Sequence, residues 1–167
     1  RLTSLTTFLR TWRRSNFWGF VVLRPTELPT RVDRLRYLKS IAALEKAGRS
    51  DAAVTAWRTA LKTWTNDPVA LFGLGNTSLA AGDNISAETY FRTMLESNPG
   101  AVAARNNLAM ALARQHRFDE ARHEITTALN EAADPQLERE LRDTEALIAK
   151  MSQEHAGQEN AAHQDEL

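Results

Sequence analysis

The sequence predicts an all-α fold, a solenoid of stacked helical hairpins, from three observations. First, a pattern of small and large apolar residues returns every 34 residues: Ala53, Ala87 and Ala121 fall in register, as do Trp57, Phe91 and Ile125, and Leu61, Leu95 and Leu129. Second, within each period apolar residues recur at helical spacing over two short stretches. Third, a turn residue stands between the two stretches at a matching place, Gly48, then Gly82, then His116. A helix pair of this size cannot bury both of its faces alone, so it needs a neighbour on each side, and a stack supplies both.

In chain order, Leu5, Phe8, Leu9 and Trp12 predict a short amphipathic helix, and the run FWGFVVL after Asn16 reads as a strand buried on both faces. No second strand is visible to pair with it. Pro25 and Pro29 make residues 25–33 an extended, stiff connector. Three repeats follow over 34–133, at about 34–67, 68–101 and 102–133. The middle one is the clearest: Leu71, Leu74, Gly75 and Leu79 stripe its first helix, a turn falls at Ala81-Gly82-Asp83, and Ala87, Phe91, Met94 and Leu95 stripe its second. Asp134-Pro135 is a helix start, with Asp as N-cap and Pro in the first turn. Leu137, Leu141, Thr144, Ile148 and Met151 then make a narrow stripe on an otherwise charged helix, which suits a capping helix over 134–151. From Ser152 the periodicity is lost, and 152–167 is expected to be a disordered tail.

The spacing of Leu74-Gly75, Gly82, Ala87, Phe91 and Pro99 resembles the tetratricopeptide repeat (TPR) family. The third repeat keeps Leu108-Ala109, Ala121 and Ala128-Leu129 but has Arg105 where that family usually has a large aromatic residue. The first keeps Tyr37, Gly48, Ala53, Trp57 and Ala60 and departs at Ser40-Ile41, so its first helix is expected to be rotated or loosely packed. A second resemblance covers the N-terminal part. The Trp-bearing helix, FWGFVVL, the Pro-flanked Glu-Leu-Pro and YLKSIAALEKAGRSDAA look like bacterial proteins that join a papain-like cysteine peptidase, of the bacteriocin-processing type, to C-terminal TPRs. It implies that residues 1–24 are the remnant of a peptidase-like domain, that 25–33 are its linker, and that the parent works in the cell envelope or periplasm. The chain begins with Arg1 and shows no signal peptide, so a piece cut from a longer protein is expected. The nucleophilic Cys and its partners would lie upstream, and no catalytic residue carries over.

The composition excludes several classes of function. There is no cysteine, which rules out disulfides, thiolate catalysis and cysteine-ligated zinc within this chain and leaves the redox compartment open. No apolar run approaches the ~20 residues of a membrane span. Basic and acidic residues balance at 21 each, so no global field points to nucleic acid. The charge is uneven, with net +4 over 1–33 and net −6 over 134–167. Gly73-x-Gly75 lies inside a helix and lacks the lysine of a phosphate loop, so both glycines are read as packing residues. His116 and His123 do not have the i, i+4 spacing of a metal pair, and His155 and His163 fall in the tail. Trp57 sits in the buried large slot, and Trp64 ends its helix as a packing residue. No cofactor and no metal site is expected.

The TPR resemblance implies that the first helices of successive repeats line a concave groove. The register then directs Leu38, Ala42 and Glu45 of the first repeat into it, with Val69, Phe72, Asn76 and Leu79 of the second and Ala103, Asn106, Met110 and Arg114 of the third. Of these, Leu38, Phe72, Asn76, Asn106, Met110 and Arg114 are the candidate peptide-binding residues. Asparagines can bond a peptide backbone through both ends of the amide, and Phe72 with Met110 offers an adaptable apolar floor. The family's clamp for a C-terminal carboxylate is incomplete: Asn76 and Asn107 stand near its places, but the lysines do not. The expected function is non-catalytic protein–protein interaction, with a peptide or partner segment held in the groove. Two alternatives stand beside it: a substrate-presenting or localising region of a papain-like cysteine peptidase, and a structural spacer or oligomerisation element.

Overall fold

The computed structural model describes residues 34–165, with side chains described through Ala162. The helix, strand and connector expected over 1–33 lie outside the described residues. Among the described residues there are seven helices and no strand: α1 (Arg34–Lys46), α2 (Ser50–Thr63), α3 (Pro68–Ala80), α4 (Asn84–Ser97), α5 (Val102–Ala113), α6 (Phe118–Asn130) and α7 (Pro135–Asp165). Each helix packs on the next, and in addition α3 packs on α5 and α5 on α7. The first helices of the second and third hairpins, α3 and α5, therefore stand side by side with α7 continuing the row, as a TPR solenoid requires.

Local chemistry sets the ends of these helices. The carboxylate of Asp67 accepts from the amides of Val69 and Ala70 at 3.0 Å each, and Pro68 occupies the first turn, where its missing N–H costs nothing. Asp83 caps α4 through Ser86 N, and Asp134 caps α7 through Gln136 N and Leu137 N. The three turns inside the hairpins share one device, a residue in the left-handed region: Gly48 at φ +70°, Gly82 at +80° and His116 at +60°. Glycine carries no steric penalty there, and histidine does.

Two aromatic rings lock α3 in place. A Cβ built on Gly73 would come 2.4 Å from Trp57 Cε2, and one built on Gly75 would come 2.4 Å from Phe91 Cε1. Residues two apart on a helix point to nearly opposite sides. Gly73 thus receives the ring of α2, and Gly75 receives the ring of α4. Both rings are buried, and the Trp57 indole N–H is satisfied by Glu45 Oε1 at 2.8 Å.

The first helix is rotated, as Ser40-Ile41 predicts, and it is well packed. Tyr37, Leu38, Ile41 and Leu44 are its buried residues, with Ile41 fully enclosed, and Tyr37 Oη donates to Ala56 O at 3.3 Å. Arg36 and Ser40, whose counterparts Ala70 and Leu74 are buried in α3, are exposed. Bulky Ile41 takes the place of Gly75, so a ring cannot seat there and α1 turns a different stripe inward.

The last helix is longer than expected. It continues through Ser152 to Asp165, across the segment read as a disordered tail. That segment lacks large apolar residues, and so shows no periodicity. It is nevertheless rich in Ala, Gln and Glu, has no proline, and carries i, i+4 pairs from Lys150 to Glu154 and from His155 to Glu159. Helix propensity and a docked preceding stretch are sufficient to carry it on. No described helix is long and apolar enough to cross a membrane.

Candidate functional site

The open sides of α3 and α5 carry a row of polar and apolar groups one residue deep. Phe72, one turn into α3, is half-buried, and its ring meets that of Phe91 edge-on at a centroid distance of 6.1 Å. Met110 on α5 is half-buried against the same core cluster. Each therefore has one side held by the interior and the other left accessible, which gives an apolar surface that cannot collapse.

Three asparagines are linked across the two helices. Asn107 Nδ2 donates to Asn76 Oδ1 at 2.8 Å, and Asn106 Nδ2 donates to Asn107 Oδ1 at 3.2 Å. The two ends of this chain of amides have unused capacity: Asn106 Oδ1 is buried without a partner, and Asn76 Nδ2 makes no hydrogen bond among the described residues. An unpaired buried acceptor costs free energy, and a ligand N–H that reaches it recovers that cost.

Arg114 follows α5 as its C-cap, exposed, and its Nη1 donates to Leu79 O at 2.8 Å. A guanidinium at the carbonyl end of α3 is favourably placed against the helix dipole. The contact ties α5 to α3 at one end of the row, while most of the side chain stays in solvent.

The structure therefore brings Phe72, Asn76, Asn106, Met110 and Arg114 onto the adjoining helices α3 and α5. Leu38 is not part of that surface. It is 5% exposed and packs with Tyr37 and Ile41, because the rotation of α1 turns inward the position that Phe72 and Asn106 occupy in the other repeats. Asn107, which is outside the candidate set, is the middle of the amide chain. Its place next to Asn106 and one repeat after Gly73 was visible, but its bond to Asn76 depends on how close two helices approach. Val69, 46% exposed, and Leu147, 45% exposed, are further accessible apolar side chains on α3 and α7. No group of three His, Asp or Glu among the described residues could hold a metal ion.

Models of the tetratricopeptide repeat match residues 38–84 and 78–140. Among solved structures, the chain resembles the first TPR of Spaghetti (RPAP3) bound to the HSP90 peptide SRMEEVD, with TM-score 0.61 and 17% identity over 72% of this chain and 99% of that one. It also resembles SycD, the type III secretion translocator chaperone of Yersinia enterocolitica, with TM-score 0.67 and 12% identity over 81% of this chain and 93% of that one. A third structure, MamA MSR-1 C2, has TM-score 0.60 and 19% identity over 96% of this chain and 93% of its own. At these identities the likeness is one of fold. No curated protein matches the sequence at a significant level.

Proposed function

We propose that this chain of tetratricopeptide repeats is a non-catalytic interaction module, holding a peptide segment of a protein partner on the surface made by α3 and α5. The observation that carries this reading is the combination of two unused amide groups, buried Asn106 Oδ1 and Asn76 Nδ2, with the half-buried apolar groups Phe72 and Met110. Apolar side chains of the peptide rest on Phe72 and Met110, its backbone N–H and C=O meet the asparagines, and Arg114 favours an acidic side chain. An accessible apolar patch beside polar groups commonly marks such a site. The similar Spaghetti structure, which holds an HSP90 peptide, supports the reading in kind. The missing lysines argue against a partner recognised by its C-terminal carboxylate. Residues 1–24 resemble the end of a papain-like peptidase domain, and that favours a second reading in which the same surface presents substrates to such a domain.

Panning a displayed random peptide library on the full chain tests this. Selected peptides should lose about thirtyfold or more in affinity with Phe72→Ala/Met110→Ala, the scale of a hot-spot loss of about 2 kcal/mol. Asn76→Ala should weaken them less, with melting checked for each variant. If no peptide is enriched, or the enriched ones bind both variants undiminished, the surface is not the site and a spacer role replaces this one.

A further inference from the structure

We propose that the stacked pair His116–His155 is a pH-sensitive latch, which holds the C-terminal extension of α7 against the turn between α5 and α6 and releases it when both rings are protonated. The inference is independent of the peptide surface.

The first support is the choice of residue at the turn. His116 stands at φ +60° where the two equivalent turns have Gly48 and Gly82. Strained backbone of this kind persists where the side chain is needed, and here its ring is engaged. It lies on the ring of His155 with centroids 4.2 Å apart and planes 21° from parallel. Phe118 backs both, at 5.9 Å from His116 and 5.7 Å from His155. Glycine at 116 would relieve the backbone and lose the ring contacts to His155 and Phe118 that residue 116 makes.

The second support is how little else holds the extension. The buried stripe of α7 includes Leu141 and Ile148 and ends at half-buried Met151. Beyond it, Arg122 Nη1 donates weakly to Ser152 Oγ at 3.4 Å, His155 enters the stack, and every residue from Ala156 to Ala162 is exposed. Past Met151, the rings of His116 and Phe118 on His155 and the bond to Ser152 are the side-chain contacts that hold this part of the helix to the array.

The third is the charge around the pair. On α7, Glu159 Oε1 is 3.4 Å from His155 Nε2, and Lys150 pairs with Glu154 one turn earlier. On α6, Arg122 pairs with Asp119. At the turn, Arg117 is committed to Glu88 and Glu120. Glu159 is thus the carboxylate in contact with the pair, and it offsets one imidazolium. An imidazolium over a neutral ring is tolerated, whereas two cations face to face at 4.2 Å repel. Histidine is the side chain that ordinarily gains its proton between about pH 8 and pH 5, so acidification is the trigger.

Proton NMR of the full chain tests the latch through cross-relaxation between the rings of residue 155 and Phe118, with the Trp57 indole resonance reporting the intact array. The contact should be present at about pH 7.5 and lost at about pH 5 in the wild type. In His155→Phe, which keeps a ring and removes the proton, it should persist at both. In His116→Asn, which suits the left-handed backbone and leaves a single imidazole backed by Phe118, the contact present at about pH 7.5 should be unchanged at about pH 5. Persistence of the wild-type contact at pH 5 overturns the proposal. So does a fall in the contact from about pH 7.5 to about pH 5 in either variant, since the pair of charges would then not be the cause.

Discussion

The second and third repeats share one register but join their helices differently. In the second, a ring from α4 drops onto a bare glycine, Phe91 on Gly75, and a ring from the preceding hairpin does the same at Gly73. In the third, the matching positions hold Ala109 and Ile125, both fully buried, and Ala104, Ala111 and Ala113 line the rest of α5. The side chain grows where its seat shrinks, and the sum stays nearly constant. The slot filled by buried Leu71 in α3 is filled in α5 by Arg105, which pairs with Glu124 at 3.0 Å and approaches Glu131 at 3.5 Å while its Nη2 bonds Pro99 O at 2.7 Å. Volume is what the repeat register specifies. The chemistry that fills it is free to vary: here Nη1 and Nη2 of the Arg105 guanidinium are hydrogen-bonded, and Nε makes only the longer approach to Glu131.

The comparison is broken most severely at the ring. Phe91→Ala empties the seat over Gly75 and should cost about 3–5 kcal/mol, a large part of the ~5–15 expected for a whole domain. Ile125→Val, the gentler deletion in the third repeat, should cost about 0.5–1.5 kcal/mol. Chemical denaturation of both variants checks the ranking, and equal midpoints for Phe91→Ala and wild type would contradict the packing described.

Exchanging the two solutions sharpens it. Gly75→Ala places a Cβ against the Phe91 ring, and overpacking of this kind costs about 1–3 kcal/mol. Alanine's better helix propensity offsets up to about 1 kcal/mol of that. Combining Gly75→Ala with Phe91→Ile copies the third repeat into the second. The double variant should be more stable than the sum of the single effects predicts, by a coupling of about 1 kcal/mol or more. An additive double-mutant cycle would show that ring and glycine do not share one space.

What could be read in advance follows from the range of each interaction. Hairpins, turn residues and Asp caps rest on contacts within a few residues, and the stripe at Leu141 and Ile148 is local too. That Gly73 and Gly75 serve packing was legible, as was Phe91 facing Gly75 across the hairpin, but the ring on Gly73 was not: Trp57 reaches forward into the next repeat, whereas its register counterpart Phe91 stays within its own hairpin. Bulky Ile41 turns α1 and buries Leu38, so a surface assigned by counting residues lost one member. Arg105 looked like a break in the pattern until Glu124 and Glu131 came round from the neighbouring helix and the loop after it. The extension of α7 was missed because it has propensity without periodicity. Asn107 shares its cause with the Trp57 ring, since only helix-to-helix distance reveals its bond to Asn76.

The smallest effect lies in the seam between the two repeats, where the join is electrostatic. Glu88 of α4 accepts from Arg92 of its own helix, from Gln115 at the next turn and from Arg117, while Glu120 of α6 accepts from Arg117 and approaches Arg92. Burial alone would push the Glu88 carboxyl up. The bonds from Arg92, Gln115 and Arg117, with the charge of Arg117, outweigh it and hold the group below the ordinary glutamate range. Glu120 is held low chiefly by its bond from Arg117. A carboxyl with a depressed value in the folded chain binds its proton less readily there than in the unfolded one. The seam's contribution is therefore fully present above the unfolded glutamate value, about 4.3, and is lost as the pH falls through the folded value. Because both arginines and Glu120 are substantially exposed, solvent screens most of the gain, and the loss should be modest. Denaturation midpoints from pH 7 down to about pH 3 should fall less steeply for Glu88→Gln than for wild type. The apolar join at Phe91 has no such titrating group, so Phe91→Ala should shift the whole profile down without changing its slope. If Glu88→Gln keeps the wild-type slope, the seam between the repeats is not what acid weakens.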